Sequence, residues 1–574
     1  MRNREVAQVF DDIADLLEIK GEMIYRILSY RRAAEGIRSL GRDIREVWKE
    51  HALREISGVG EAIEAKIDEL MRTKKLEFFE GLRKEIPAGL IDVLHVGDVG
   101  PKRAARFWRE LDITTVPALE KAARGGRLRE LSGMGAKSEA RILQNIEAMK
   151  RRERGRISIG VALPIAEQLV ARLKQLPGVE AVEAAGSLRR WRETVGDLDL
   201  LAASDAPGEV LQAFTSFPEV ERVLGRGETK ASVDLHSGLK AQLWVHPPAR
   251  FGTALQYATG SQAHNVHLRE LAQNRGLSLS EHGFKDSVGR EILCPDEVKV
   301  YATLGLPWIP PELREDRDEI AAAAAGRLPR LVEESQIRGE FHAHTQWTDG
   351  ASTLQEMAEA ARQAGLEYLV ITDHTQGLGM VNGLTPERLR EQRRELDQVQ
   401  ARLGDSLRLL HGAEVEILAD GSLDFDDRTL ASLDLVAASI HTSLRQPREK
   451  ITARLLAAIR NPHVDMIGHP TGRLVLGREA ADLEVGPILE AAADHGVALE
   501  INAHPERLDL KDAHARQAWA TGCLLAINCD AHKPEDFALR RYGVGVARRG
   551  WLPAEAVLNT RGVEQILTWL RGRG

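Results

Sequence analysis

Cysteine is scarce. Cys294, Cys523 and Cys529 are the only three in 574 residues, which excludes a disulfide framework and fits a reducing cytoplasm. No apolar run is long enough to span a bilayer, which excludes a membrane partner through a helical span. The opening MRNREVAQVFDD lacks the pattern of a secretory leader. An excess of basic charge is also missing, since the net charge is −8, and for the whole chain this argues against nucleic acid. Divided along the chain the balance differs: residues 1–160 carry +5, residues 161–330 carry −4 and residues 331–574 carry −9. Histidine is skewed the other way, with 11 of 18 in the last segment. The asymmetry predicts phosphate contacts in front and metal chemistry behind. What remains, 43% hydrophobic and 29% charged residues, is ordinary for a multidomain chain with enough length to bury its cores.

The stretch GSLRRWRETVGDLDLL, Gly186 to Leu201, reads as a Gly-Ser turn opening a helix, a Thr-Val-Gly turn, and a strand carrying Asp197 and Asp199. Alternate strand residues face one side, so the two carboxylates project together, with Leu198, Leu200 and Leu201 turned toward a core. Paired carboxylates repel unless a cation lies between them. A hard divalent ion held by carboxylates and substrate phosphates suits the place. Backbone N–H groups at the Gly-Ser turn and the guanidinium forks of Arg189 and Arg190 suit phosphate oxygens.

Helical periodicity fills residues 1 to about 150, as in Val6, Phe10, Ile13, Leu16 and Leu17. Three glycine turns interrupt it: ISGVGEAIEAKI with Gly58 and Gly60, VGDVGPKRAARF with Gly97, Gly100 and Lys102, and LSGMGAKSEARIL with Gly133 and Gly135. Glycine lets a backbone approach a phosphate, and the helix start that follows points N–H groups at it. Three such turns fit sequence-independent contact with the DNA backbone.

From residue 338 onward, seven short β-rich runs alternate with helical segments, and each ends in a candidate metal ligand. They are RGEFHAH (His342, His344), YLVITDH (His374), LLHGAEVEI (Glu414), LVAASIH (His441), VDMIGH (His469), VALEINA (Asn502) and LLAINCDAH (Asp530, His532), with Asp349 in TQWTDG after the first. In βα barrels chemistry gathers at the C-terminal strand ends. Mixed imidazole and carboxylate donors suit Zn²⁺, Mn²⁺ or Fe²⁺, and clustered metals activate water and stabilise a leaving oxygen. His411, His463, His495 and His514 fit no ligand position and are expected to be structural.

These motifs carry resemblances. The glycine turns resemble the helix-hairpin-helix motif. The G-S-x-R-R and G-D-x-D runs, with YATGSQAHNVHLR at 257–269, resemble the nucleotidyltransferase core of family X DNA polymerases. The barrel motifs resemble the PHP domain, with nine metal positions filled by His342, His344, Asp349, His374, Glu414, His441, His469, Asp530 and His532. Together they match the layout of bacterial family X polymerases. The resemblance implies a multidomain chain with an all-α helix-hairpin-helix N-terminal region, an α/β nucleotidyltransferase palm and a C-terminal (β/α)7-like PHP barrel. The expected boundaries are a lyase-like helical domain at 1–85, a fingers-like domain at 86–154, a palm at 155–250, a thumb at 251–311, a linker with one helix at 312–337, and the PHP nuclease at 338–574.

The resemblance also implies roles. Asp197 and Asp199 would hold Mg²⁺ or Mn²⁺, Gly186, Ser187, Arg190 and Gly196 would bind the triphosphate, and Tyr257 and Gly260 would lie beside the incoming sugar. Asn265 and Arg269 would touch the base pair and template, and Lys66 would form a Schiff base with an abasic 5′ end. The implied activities are gap-filling polymerase and metal-dependent 3′-5′ exonuclease, on gapped or nicked DNA with deoxynucleoside triphosphates, in a cytoplasmic monomer. Three positions depart from the pattern: Ala62, Ala258, and above all Gln242, which stands where the family carries a third metal-binding aspartate. If Ser237 and Gly238 form a two-residue turn, Asp234 faces Ala241 on the opposite side of the sheet and cannot substitute. A nuclease on a decayed polymerase core and a PHP-type phosphatase are the competing readings.

Overall fold

The structure is a computed structural model that describes residues 3–38, 44–56, 58–87, 89–94, 96, 99–131, 133–152 and 156–572. The chain divides into two compact units, Met1–Gly155 and Arg156–Gly574.

The first unit is helical. Helices α1 (Asn3–Lys20), α2 (Ile24–Arg38), α3 (Glu61–Thr73), α4 (Pro101–Leu111) and α5 (Ala136–Arg152) are among its elements. Val6, Phe10, Ile13, Leu16 and Leu17 recur at helical spacing on α1 and are all fully buried, as a single apolar stripe requires. The three glycine turns share one geometry. Val59, Val99 and Met134 each donate a backbone hydrogen bond to the apolar residue three before, and Gly60, Gly100 and Gly135 each accept from the first turn of α3, α4 and α5.

The second unit opens with α6 (Ile159–Leu173) on a five-stranded sheet of β1 (Ala181–Ala184), β2 (Leu198–Ala203), β3 (Val220–Arg226), β4 (Lys230–Leu235) and β5 (Lys240–His246), in the order β1-β2-β5-β4-β3. Only β2 and β5 pair in parallel. The expected Thr-Val-Gly turn is partly strand, since Thr194–Val195 pairs with Ile157–Ser158. The hairpin register also differs from the expected one. Asp234 faces Lys240 and Ser232 faces Gln242, because the loop holds three residues, with Gly238 at φ 81 in the left-handed region that a three-residue hairpin needs. Asp234 therefore shares the face of Gln242, and its carboxylate is held by Arg222 at 2.6 Å.

Helices α7 (Phe251–Thr259) and α8 (Gln262–Gln273) follow. The stretch 312–337, expected to be a connector outside any core, forms helix α9 (Glu319–Ala324) and is built into the interior. Arg314 and Glu319 are fully buried: Arg314 pairs with Glu297, and Glu319 meets His264 at 2.6 Å. These two charges are spent on buried partners, while Asp316, Asp318, Arg327 and Arg330 stay exposed.

The seven expected strands all form: β6 (Gly339–Glu340), β7 (Tyr368–Ile371), β8 (Arg408–Glu416), β9 (Leu435–Ser439), β10 (Met466–Ile467), β11 (Ala498–Asn502) and β12 (Leu525–Asn528). They pair in parallel in sequence order. Past the strand ends, His344 donates to Ala531 at 2.8 Å and Ala531 to His342 at 3.1 Å, so the sheet nearly closes on itself. Helices α10 (Asp512–Thr521) and α11 (Arg540–Arg549) complete the elements needed below. Barrel and palm share one apolar core, in which Leu198 and Ala166 belong to the same cluster as Ile501 and Val546. No helix among the described residues is long and apolar enough to cross a membrane.

Candidate metal centre and nucleotidyl-transfer site

Strand ends bring all nine expected ligands to one mouth of the barrel. They fall into four overlapping groups with donor atoms within 4.8 Å of one another: His344, Asp349, His374 and His532; His342, His344 and Asp530; His342, Glu414 and His469; His374, Glu414 and His441. Glu414 is the bridge. Its Oε2 lies 2.8 Å from His374 Nδ1 and 3.4 Å from His342 Nε2, and its Oε1 lies 2.8 Å from His469 Nε2 and 3.3 Å from His441 Nε2.

The donor set fits bound cations. Both oxygens of Glu414, both ring nitrogens of His344 and Nε2 of His342 are buried without a hydrogen-bond partner, an arrangement that costs free energy unless something positive satisfies it. Burial opposes charge on His374, yet Glu414 and Asp349 hold its proton up to about 10. Against the same burial, Asp349 and Asp530 hold that of His532 up to about 9. Burial together with His532 and His374 pushes His344 down to about 3, leaving it a neutral ligand. The cage thus seeks positive charge, and N/O donors of this mixture suit Zn²⁺, Mn²⁺ or Fe²⁺.

A supporting layer orients these ligands. His342 Nδ1 meets Glu500 at 2.7 Å, and His441 Nδ1 meets Glu416 at 2.7 Å, which fixes the tautomer presented to a metal. Asp373 accepts from Thr345, Thr348 and Gln392 and so holds the loop that carries Asp349. Sequence reasoning missed these carboxylates. Glu416 stands two residues after Glu414 on β8, on the same face, and that spacing was the available signal. Asn502, expected at a strand end beside the ligands, braces one of them by donating to Asp530 at 3.0 Å. His411 pairs with Gln392 at 3.0 Å, as a structural histidine would.

In the palm, Asp199 and Gln242 are register partners across β2 and β5, and Gln242 Nε2 donates to Asp197 Oδ2 at 2.9 Å. Gly186, at φ 60, is required there, since a Cβ would collide with the Asp199 carboxylate. Burial and Asp197 raise the Asp199 carboxyl to about 6, against the opposing Lys230 and Arg190. Lys230, which the sequence reading passed over, lies 4.5 Å from the centre of the Trp244 ring.

Arg190 and the YATGS segment come together: Arg190 Nη1 donates to the Thr259 carbonyl at 2.5 Å, beside Gly260 at φ 67. Arg189 does not face a substrate. It is spent on Thr259 at 2.7 Å and on Glu297 at 2.8 and 2.9 Å. The Asn265 amide is also engaged, accepting from Gln256 and donating to the Tyr257 carbonyl, both at 2.8 Å. Arg269 is exposed, while Ser187, Gly196 and Tyr257 are half-buried.

In the first unit, Gly58 at φ 79 sits 2.7 Å, by its would-be Cβ, from the Arg32 backbone, whereas nothing lies within 4 Å of a Cβ at Gly60, Gly100, Gly133 or Gly135. Gly97 and the side chain of Lys102 lie outside the described residues. Lys66 Nζ donates to the Ala62 carbonyl at 3.3 Å and lies 5.3 Å from the centre of the Phe78 ring, on which Tyr30 stacks at 6.0 Å.

Family models match as helix-hairpin-helix domain over residues 1–76, SAM-like helix-hairpin-helix tandem over 90–148, DNA polymerase beta thumb over 254–315 and PHP domain over 340–504. The DNA polymerase/3′-5′ exonuclease PolX of Bacillus subtilis is 38% identical over 575 residues, covering 100% of both chains. A probable phosphatase of Caldanaerobacter subterraneus subsp. tengcongensis is 29% identical over 253 residues, 40% of this chain and 90% of its own. One of Edwardsiella ictaluri is 30% identical over 251 residues, 41% of this chain and 94% of its own.

Proposed function

The chain belongs to the bacterial family X DNA polymerases that carry a C-terminal PHP domain, and from that premise we propose that it fills short gaps in DNA and removes nucleotides from 3′ ends in the barrel. It is a DNA-directed DNA polymerase and a 3′-5′ exonuclease. The observation that carries the nuclease half is the convergence of ligands from six of the seven strands around the buried Glu414.

Asp197 and Asp199 would hold Mg²⁺ or Mn²⁺, and the nine barrel ligands would hold Zn²⁺, Mn²⁺ or Fe²⁺. When bound, such ions supply positive charge to phosphoryl oxygens and make water a better nucleophile. The chain's own groups do the rest. Arg190 and the Gly186–Ser187 turn orient the triphosphate, with Gly196 beside them. Tyr257 and Gly260 border the incoming sugar, while Asn265 and Arg269 lie toward the base pair. Gly60, Gly100 and Gly135, open to an approaching backbone, receive the phosphates of gapped or nicked DNA together with Gly58, Gly97, Gly133 and Lys102. Lys66 serves as the amine for abasic 5′ ends. The protein works as a monomer in the cytoplasm, within the domain limits expected from its sequence apart from the 312–337 stretch.

The phosphatase relatives match 40% and 41% of the chain, and a small-molecule phosphatase has no use for three glycine turns. Primer extension on gapped duplex in Mg²⁺ and in Mn²⁺, with Asp197→Ala as control, tests the polymerase. Digestion of 3′ ends by Glu414→Ala and His344→Ala tests the nuclease: both variants are expected to lose it while keeping DNA affinity, and undiminished digestion by either removes the assignment.

A further inference from the structure

The turn that carries Arg190 does not rest on palm residues alone. Trp191 is left-handed, at φ 55. Its ring lies edge-on to Tyr542, with centroids 6.3 Å apart, and covers Gly545, where a Cβ would collide with it. Tyr542 and Gly545 both belong to α11 of the barrel. At the end of the same helix Arg549, only 4% exposed, donates through Nη1 to the Arg190 carbonyl at 2.6 Å and to Glu315 Oε1 at 2.9 Å. Its other arm reaches Asp512 on α10 at 2.8 Å. The same Glu315 oxygen accepts from Arg190 Nε at 3.1 Å.

We propose that Arg549, with Gly545 beneath Trp191, positions Arg190 for the incoming triphosphate, so that the nuclease domain completes the nucleotide site of the polymerase. The inference rests on reading Arg190 as the triphosphate arginine. Its physical basis is competition for Glu315. With Arg549 present, the Glu315 charge is shared between the guanidinium groups of Arg549 and Arg190, with that of the more exposed Arg192 farther off at 3.7 Å, and Arg190 is only partly held by it. Without Arg549, Glu315 keeps Arg190 as its main buried partner and draws that guanidinium away from phosphate oxygens, while the freed Arg190 carbonyl lets the turn drift. Charge-assisted hydrogen bonds of this kind are worth enough to shift binding by about 10-fold.

The test is equilibrium binding of dATP by full-length protein on a one-nucleotide gap opposite thymine, with a dideoxy-terminated primer and Mn²⁺. Arg549→Met is expected to weaken dATP about 10-fold, Glu315→Gln added to it to restore much of the loss, and Gly545→Ala to weaken binding in the same direction by displacing Trp191. The exonuclease rate should stay unchanged in all three. A purely structural role for Arg549 predicts no rescue by Glu315→Gln, so an unrescued double variant overturns the proposal, as does wild-type affinity in both Arg549→Met and Gly545→Ala. Gly545→Ala decides alone if Arg549→Met does not fold. If Arg190→Ala binds dATP as tightly as wild type, the triphosphate reading of Arg190 fails and this inference falls with it. Weakening by Arg190→Ala without weakening by the barrel variants removes the inference alone.

Discussion

Gln242 turns its amide N–H toward Asp197, so it brings no negative charge to the carboxylate pair and cannot accept a proton from a primer hydroxyl. Slow synthesis in Mg²⁺ is therefore expected, with better synthesis in Mn²⁺, which accepts imperfect ligand sets more readily. Gln242→Asp should raise the Mg²⁺ rate by about 10²-fold, and equal extension rates in the two proteins would show that another acid already serves. Asp199 offers a second check. Its folded carboxyl titrates near 6, above the ordinary aspartate value, so the folded chain holds that proton more tightly than the unfolded one. Ionising it costs stability that is absent at low pH, grows through the interval up to 6 and is constant above it. Asp199→Asn should therefore raise the melting temperature at pH 7.5 without divalent cations, the gain vanishing toward pH 4, and Mn²⁺ should stabilise the wild type more than the variant, in which only the barrel cage still binds it; a pH-independent difference would contradict this. Most of the ligands were legible one residue at a time because they close a short apolar run, with Glu414 inside one and Asp349 just after one. Glu500 and Asp373, which hold them, were not, because a lone carboxylate inside such a run carries no mark of its partner until the strands are laid side by side.

Among elements, the glycine turns separate two uses of one residue. Gly58 packs against the α2 backbone in a left-handed conformation, so Gly58→Val should cost folding stability in the first unit. Gly60 and Gly135 meet nothing inside the protein, so valine there should leave thermal unfolding in place while weakening gapped-duplex binding several-fold; unchanged affinity would mean that these turns do not touch DNA. Helices and barrel strands could be read from periodicity, and the seven β runs all formed. The palm hairpin could not be read to the residue, because a two-residue and a three-residue loop differ only in where Gly238 sits, and that single step moved Asp234 to the other face. Strand β3 carries no strand signal in the sequence because its residues are mostly exposed, so it lacks the alternation that marks a half-buried strand. The 312–337 stretch misled for the opposite reason: charge in sequence reads as solvent, yet Arg314 and Glu319 are buried against partners far along the chain.

For the whole molecule, the two units have separate cores, and only the second holds the cage. Chelation should lower the unfolding transition of the second unit by on the order of 5–10 °C and leave that of the first where it was; a single transition shifting as one would show the cores to be coupled. α11 is also made late. Translation delivers Trp191 long before the helix on which it rests. At about 5–20 residues per second, the ribosome spends on the order of tens of seconds between them. Throughout that interval the nascent palm has its carboxylates but no seat for Arg190, the arginine proposed above to hold the triphosphate. The last cage ligands, Asp530 and His532, immediately precede α11, so on this reading pen and eraser come into use together, and a ribosome that stalls short of α11 releases a fragment unable to copy DNA.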